Sequence, residues 1–293
     1  MKFKGKKLTV SGVILLVLLL AVNIALYILQ QPRYSESVQN VPAFSGDPYV
    51  IINRNQPEFS EEDLTSTAYE FYSELDIHGR CGYAMACIGP ELMPTEPRES
   101  ISHVKPSGWV QAQYDFVDGK SLYNRCHLIG FQLTGENDNE KNLITGTRYM
   151  NVEGMLPFEN LVADYIKYSG NHVLYRVTPV YDGRNPVARG VQLEGWSVED
   201  QGAGVCFHVY VYNNQPGVVI DYTTGESRAD GSIGEAADTG EAADYILNTN
   251  SKKFHATACK NGQTIKQENK EVFTGDRQTL LDQGYSPSGC CNP

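Results

Sequence analysis

The chain carries no surplus of positive charge. Lys and Arg number 24 against 35 Asp and Glu, for a net charge of −11 over 293 residues. Domains that hold nucleic acid tightly are usually basic, so composition argues against a static binder of that class. An enzyme that must release its product needs less fixed positive charge. Moreover, Glu226, Asp230, Glu235, Asp238, Glu241 and Asp244 gather many of the acids in one stretch. No His-Glu-x-x-His occurs, which removes that zinc-protease pattern, and no internal repeat points to a solenoid. Nor is the cysteine count even. Cys81, Cys87, Cys126, Cys206, Cys259, Cys290 and Cys291 make 7, so at least one stays outside any intrachain pair unless a metal or a second chain takes it. Cys81 and Cys87, six positions apart in a hairpin or loop, are the candidate short-range disulfide.

What is present starts with a membrane signal. Lys2, Lys4, Lys6 and Lys7 precede an uncharged run from Leu8 to Gln31 rich in Leu, Val and Ile. A span needs roughly 20 mostly apolar residues. A cleavable signal has a shorter core and a small-x-small site, and no Ala-x-Ala follows this run. Residues 1–31 therefore read as an uncleaved signal anchor. The lysines place the N-terminus in the cytoplasm and the remainder outside.

Residues 32–47, with Pro32, Pro42 and Gly46, read as a tether. Residues 48–225 carry the main domain. Tyr49 to Asn53 starts a strand, and Ser60 with Asp63 reads as a helix start continued by Tyr69, Tyr72 and Leu75. Val110 to Phe116 and Leu122 to Ile129, with Asp118-Gly119 between them, read as a β-hairpin. Phe158, Leu161, Val162, Tyr165 and Ile166 form a helical stripe, with Pro157 in its first turn and Gly170 at its end. Glu159 falls off that stripe. His172–Tyr181, Val187–Val198 and Val205–Tyr212 follow as strands, with a shorter one near Val218–Tyr222. Helices grouped between antiparallel strands give an α+β domain. Residues 226–244 are poor in apolar side chains and read as an acidic flexible linker. Residues 245–293 form a small Cys/His module of a size that usually needs a staple.

The chemistry concentrates at Asn124-Arg-Cys-His127. A neutral imidazole accepts a proton from water at neutral pH. A hard divalent ion neutralises phosphate charge, and Mg²⁺ is satisfied by a single amide oxygen such as that of Asn151 and several waters, which an acid such as Glu159 orients. Arg125 shares a strand face with His127 and so reaches the same phosphate. By residue type alone the bland reading holds equally: His127 as a half-buried strand residue and Asn151 as a polar helix end. Cys126 and His127 face opposite sides of a strand and form no dyad, which leaves His103, His172 or His208 as partners for a thiol enzyme.

Leu122-Tyr-Asn-Arg-Cys-His-Leu-Ile-Gly130, then Lys141-Asn-Leu-Ile, then Asn151, resembles the DNA/RNA non-specific endonuclease family, the His-Me finger or ββα-metal nucleases. Within it, the likeness is greatest to bacterial membrane-anchored DNA-entry nucleases. It runs from about Tyr49 to Tyr222. The usual signature is Asp-Arg-Gly-His; here Asn124 stands for the Asp and Cys126 for the Gly. The resemblance implies a ββα-metal fold with a central antiparallel sheet, and hydrolysis of DNA, and of RNA as a second substrate, with little sequence preference. It also implies Mg²⁺ or Mn²⁺ as cofactor. His127 matches the general base, Asn151 the metal ligand, Asn142 an asparagine steadying the loop, and Glu159 the acid behind the metal's waters. Arg125 matches the signature arginine. Arg148 and Arg176 are further candidates for phosphate contacts. The other reading is a surface protein that binds DNA or a partner on a catalytically dead nuclease fold.

At the C-terminus, His255-x-x-x-Cys259 followed by Cys290 and Cys291 is similar to a small zinc-type knuckle found after such domains. The usual close, Cys-Gly-x-Cys, has become Ser288-Gly-Cys-Cys291. Zn²⁺, a Cys259–Cys291 disulfide and no staple at all remain open at this point.

Overall fold

A computed structural model describes residues 17–19, 22, 40–232, 243–288 and 291. Most of the Leu8–Gln31 run, residues 32–39 and 233–242, and Cys290 lie outside the described residues. Among those described, no helix is long and apolar enough to cross a membrane.

Six strands make the central antiparallel sheet: β1 (Tyr49–Ile51), β2 (Tyr69–Tyr72), β3 (Ala84–Ile88), β6 (Val173–Val180), β7 (Gly190–Ser197) and β8 (Cys206–Tyr212). Their order is β1-β8-β7-β6-β3-β2. Alternation decides which side chains go where, since successive residues of a strand face opposite sides. Tyr175, Val177, Val191, Leu193, Phe207, Val209 and Val211 point into the main core. Leu174 with Met85 and Cys87, and Tyr210 with Tyr212, build smaller clusters elsewhere.

On the main core side lie a two-stranded hairpin, β4 (Tyr123–His127) with β5 (Leu143–Thr147), a short helix α1 (Phe131–Thr134), and the long helix α2 (Leu156–Ser169). Helix α2 continues directly from a π-helical turn, Met150–Met155. Gly154 lets that turn press on the sheet: a Cβ there would sit 2.3 Å from the Val211 side chain. Gly170 ends α2 in the left-handed conformation at φ 74°, which glycine adopts without the Cβ penalty. Helix α2 buries Glu159, Val162, Ala163 and Ile166, while Leu161 is 44% exposed. The other four residues of the expected stripe hold their place, Val162 and Ile166 buried and Phe158 and Tyr165 packed against the core, and Glu159 is buried beside them where it lines a cleft. Ala163, four residues on from Glu159, completes the buried face.

Three further expectations are corrected. The strand carrying His127 pairs with β5 (Cys126 with Ile144, His127 with Leu143), and the expected hairpin with Val110–Phe116 forms only at its turn end, where Gln113 bridges Ser121 and the Leu122 amide donates to the Ala112 carbonyl at 3.0 Å. Gln111 explains why: its side chain accepts from the Tyr123 amide and donates to the Tyr123 carbonyl, at 3.0 and 2.8 Å, occupying the strand's outer edge. The expected helix after Ser60 stops at one turn. The Asp63 carboxylate folds back on the Ser60 amide and hydroxyl, and Tyr69–Tyr72 is strand β2. Cys81 and Cys87 form no disulfide. Cys81 donates to the carbonyls of Glu140 and Leu143, Cys87 to that of Thr65.

The edges of the domain are wider than composition suggested. Val41 and Phe44 pack against the Tyr210 and Tyr212 cluster, and Ser227–Ala229 (β10) pairs with Val218–Ile220 (β9). The C-terminal module has its own four-stranded sheet of β11 (Ala243–Asn248), β12 (Lys253–Ala256), β13 (Lys270–Gly275) and β14 (Ser286–Pro287), in the order β13-β11-β12-β14.

Candidate active site

The β4–β5 hairpin delivers His127 to the floor of a cleft of about 630 Å³, whose lining includes Arg98, Asn124, Arg125, His127, Asn151 and Glu159. Asn142 fixes the far end of the strand. Fully buried, it accepts from the Ile129 amide at 2.9 Å and donates to the Ile129 carbonyl at 3.0 Å.

His127 Nε2 lies 2.7 Å from the Asn137 carbonyl oxygen. A carbonyl only accepts, so Nε2 carries the proton and Nδ1 presents its lone pair. Beside Nδ1, at 3.4 Å, is Nη2 of Arg98. Burial pushes the imidazole pKa down to about 4, with the Arg98 charge adding to the fall and the Asn137 bond opposing it. The ring is therefore neutral across the physiological range, with its lone pair at Nδ1.

Glu159 is buried on the same cleft, and desolvation raises its carboxyl to about 7. Among the described residues no Lys, Arg or His lies within ion-pair distance of it. Gly130 makes its position available. A Cβ on Gly130 would lie 2.5 Å from Oε2 of Glu159, although the backbone there, at φ −59°, suits any residue. The Gly130→Ala variant is therefore expected to fold, to displace the Glu159 carboxylate, and to lose at least about 10-fold in catalytic rate. Circular dichroism together with cleavage kinetics checks this.

Asn151 sits on the π-helical turn, a rare element that often marks a functional site. Its Oδ1 accepts from Cys126 Sγ at 3.0 Å. Cys126 is fully buried and its thiol pKa is raised by burial; it is no nucleophile. His172 is engaged by Glu91 and Glu199, and His208 by Gln192 and Gln56, so neither serves Cys126.

The arginines divide. Arg98 had no signal in the sequence, where it stands alone in a Pro- and Glu-rich irregular stretch; only the fold brings it to Nδ1. Arg125 lines the cleft and clamps the preceding loop. Nε donates to the Val104 carbonyl at 2.5 Å and Nη2 to that of Ser102 at 2.6 Å, with the guanidinium over the Trp109 ring at 4.3 Å. Arg148 also lines the cleft, but is bound to Asp118 at 2.9 Å, which Lys253 of the C-terminal module approaches at 3.7 Å. Arg176 is not brought to the site. It forms a two-point ion pair with buried Glu194, at 2.7 and 2.9 Å, on the central sheet.

A hard cation fits this donor set. The Asn151 amide oxygen and the Glu159 carboxylate are oxygen donors on one cleft, and the latter is a buried acid with no protein cation paired to it.

Comparison with known proteins gives three findings. The family model for DNA/RNA non-specific endonuclease matches residues 61–198, a span that includes His127, Asn142, Asn151 and Glu159. Two solved structures of NucA from Streptococcus agalactiae, one with a magnesium ion bound and one with no metal, are each 25% identical to this chain. Each has a TM-score of 0.58, with 66% of this chain and 92% of that chain covered. The structure of Sda1 nuclease with bound zinc ion is 30% identical, with a TM-score of 0.48, over 55% of this chain and 81% of that one. No curated protein sequence matches.

Proposed function

Because this chain belongs to the DNA/RNA non-specific endonuclease family, a family of phosphodiester hydrolases, we propose that it is a metal-dependent endonuclease that cuts DNA, and RNA, with little sequence preference. The observation that carries this reading is the state of His127. Its Nε2–H is spent on a backbone carbonyl, and its unprotonated Nδ1 lies beside a guanidinium in an open cleft.

The chain's own residues then divide the work. His127 takes a proton from the attacking water at Nδ1, which is unprotonated at neutral pH. Arg98 offers charge-assisted hydrogen bonds to a phosphate oxygen next to that water. Arg125 holds the loop over which the substrate passes. Asn151 would hold Mg²⁺ or Mn²⁺ through its amide oxygen, with Glu159 orienting the surrounding waters; that NucA, to which this chain is similar, binds magnesium supports the choice of metal. When bound, such an ion neutralises charge growing on the phosphate and the departing oxygen.

Contacts of this kind read the phosphate backbone, which carries little base information; binding therefore weakens with added salt. The four lysines ahead of the uncharged Leu8–Gln31 run support a single-pass anchor in the cell membrane, with the nuclease domain outside the cytoplasm.

The test is direct. Purified protein from residue 40 onward, which keeps Val41 and Phe44 docked, is incubated with supercoiled plasmid. Nicking and linearisation are expected with Mg²⁺ and none with EDTA. Absence of cleavage in both Mg²⁺ and Mn²⁺, with the fold intact, would leave the DNA- or partner-binding surface protein as the better reading.

A further inference from the structure

The C-terminal module holds a second cluster, far in chemistry from the first. His255 on β12, Cys259 in the turn after it and Cys291 past β14 place one ligand atom each within 4.8 Å of one another. We propose that these three side chains hold a structural zinc ion that staples the module, separate from the hard-cation site at Asn151.

Four observations carry it. First, both sulfurs converge on the same ring nitrogen: Cys259 Sγ lies 3.5 Å and Cys291 Sγ 3.8 Å from Nδ1 of His255. A tetrahedral ion with Zn–S of about 2.3 Å and Zn–N of about 2.1 Å separates nitrogen from sulfur by roughly 3.6 Å. Cys259 and Cys291 are not joined to each other. Second, the Ala256 amide donates to Cys291 Sγ at 3.4 Å, an arrangement that favours the thiolate a metal requires. Third, the backbone is shaped around His255. Cys259 N–H donates to the Ala256 carbonyl at 2.9 Å, and a Cβ on Gly262 would lie 2.7 Å from His255 Cβ. Fourth, the module's own core is small: Tyr245, Leu247, Phe254, Leu280 and Tyr285. A unit of this size usually depends on a staple. One nitrogen and two sulfurs select zinc over magnesium.

The ion would tie β12 to the tail across 36 residues, closing the sheet at the one parallel pairing it contains, β12 with β14. The proposal does not depend on nuclease activity.

The full-length chain, purified in detergent without chelator, is analysed for metal by mass spectrometry and titrated with Co²⁺. About one zinc per chain is expected, with a thiolate-to-cobalt charge-transfer band on substitution. Both should be lost in Cys259→Ser and in Cys291→Ser and kept in Asn151→Ala and His127→Ala. If a cysteine variant fails to fold, Co²⁺ uptake by the unsubstituted chain still decides. No cobalt band from fully reduced protein would overturn the proposal. So would a metal that leaves with Asn151→Ala, or a Cys259–Cys291 disulfide trapped by alkylation of the native chain.

Discussion

The His127→Ala variant is expected to cleave plasmid about 10²–10⁴-fold more slowly than the unsubstituted chain, the usual contribution of a positioned general base. It should keep its fold. The imidazole's own hydrogen bonds reach outward, to Asn137 and Arg98, while the hairpin beneath is secured by Asn142 and the β4–β5 ladder. The pH profile gives a second readout. With the histidine pKa pushed down to about 4 by burial, the acid limb of the rate should lie well below the ordinary histidine value of about 6.5. Stability follows the same group. Its folded pKa is below its unfolded one, so the unfolded chain binds more protons and the fold weakens as pH falls from about 6.5 towards 4. Removing the imidazole should remove that part of the acid sensitivity, measured by urea unfolding at pH 7 and pH 4.5. Undiminished cleavage by the alanine variant would sink the assignment of the base.

Substituting Glu159→Gln is expected to move stability and activity in opposite directions. Burial raises the carboxyl from 4.5 to about 7. A raised folded pKa stabilises the fold below the unfolded value and loses that contribution as pH climbs through about 7. At pH 8 the ionised, desolvated carboxylate then costs roughly 3 kcal/mol relative to its neutral form, at about 1.4 kcal/mol per pKa unit. The amide keeps the shape and sheds the charge. In EDTA at pH 8, Glu159→Gln should therefore unfold at higher urea, by an amount on the order of 2–3 kcal/mol, and the gain should vanish by about pH 4.5. Cleavage should drop about 10- to 100-fold, as for other groups that orient a metal's surroundings. Mg²⁺, binding only the folded chain, should restore much of the stability of the unsubstituted protein and little of the variant's. Equal stability of the two proteins at pH 8 would show that Glu159 carries no buried charge.

Much of the fold was legible because it rests on local pattern. Strands β6, β7 and β8 announce themselves by alternation, and α2 by its spacing between Pro157 and Gly170. The antiparallel α+β sheet followed from these. What was illegible depends on partners distant in the chain. Nothing near Leu143 marks it as the strand that pairs with His127, and the Gln111 side chain that displaces the expected partner is an ordinary polar residue. Helix α2 keeps the expected stripe except for exposed Leu161, and it also buries Glu159 and small Ala163, which apolar spacing alone does not mark. At the site, His127, Asn142, Asn151 and Glu159 were reached through resemblance to a family motif; their residue types alone left the bland reading standing. Arg98 was out of reach altogether, since a loop without regular structure carries it to Nδ1.

Position 126 constrains a residue on the opposite strand. The family signature places glycine there, and this chain has Cys126. Across the ladder, a Cβ on Gly146 would lie 2.6 Å from Cys126 Cβ, closer than two such atoms come. The two sites share room for one side chain. With cysteine at 126, any side chain at 146 must push the two strands apart. The residue that makes this motif look irregular thus fixes the composition of the strand opposite it.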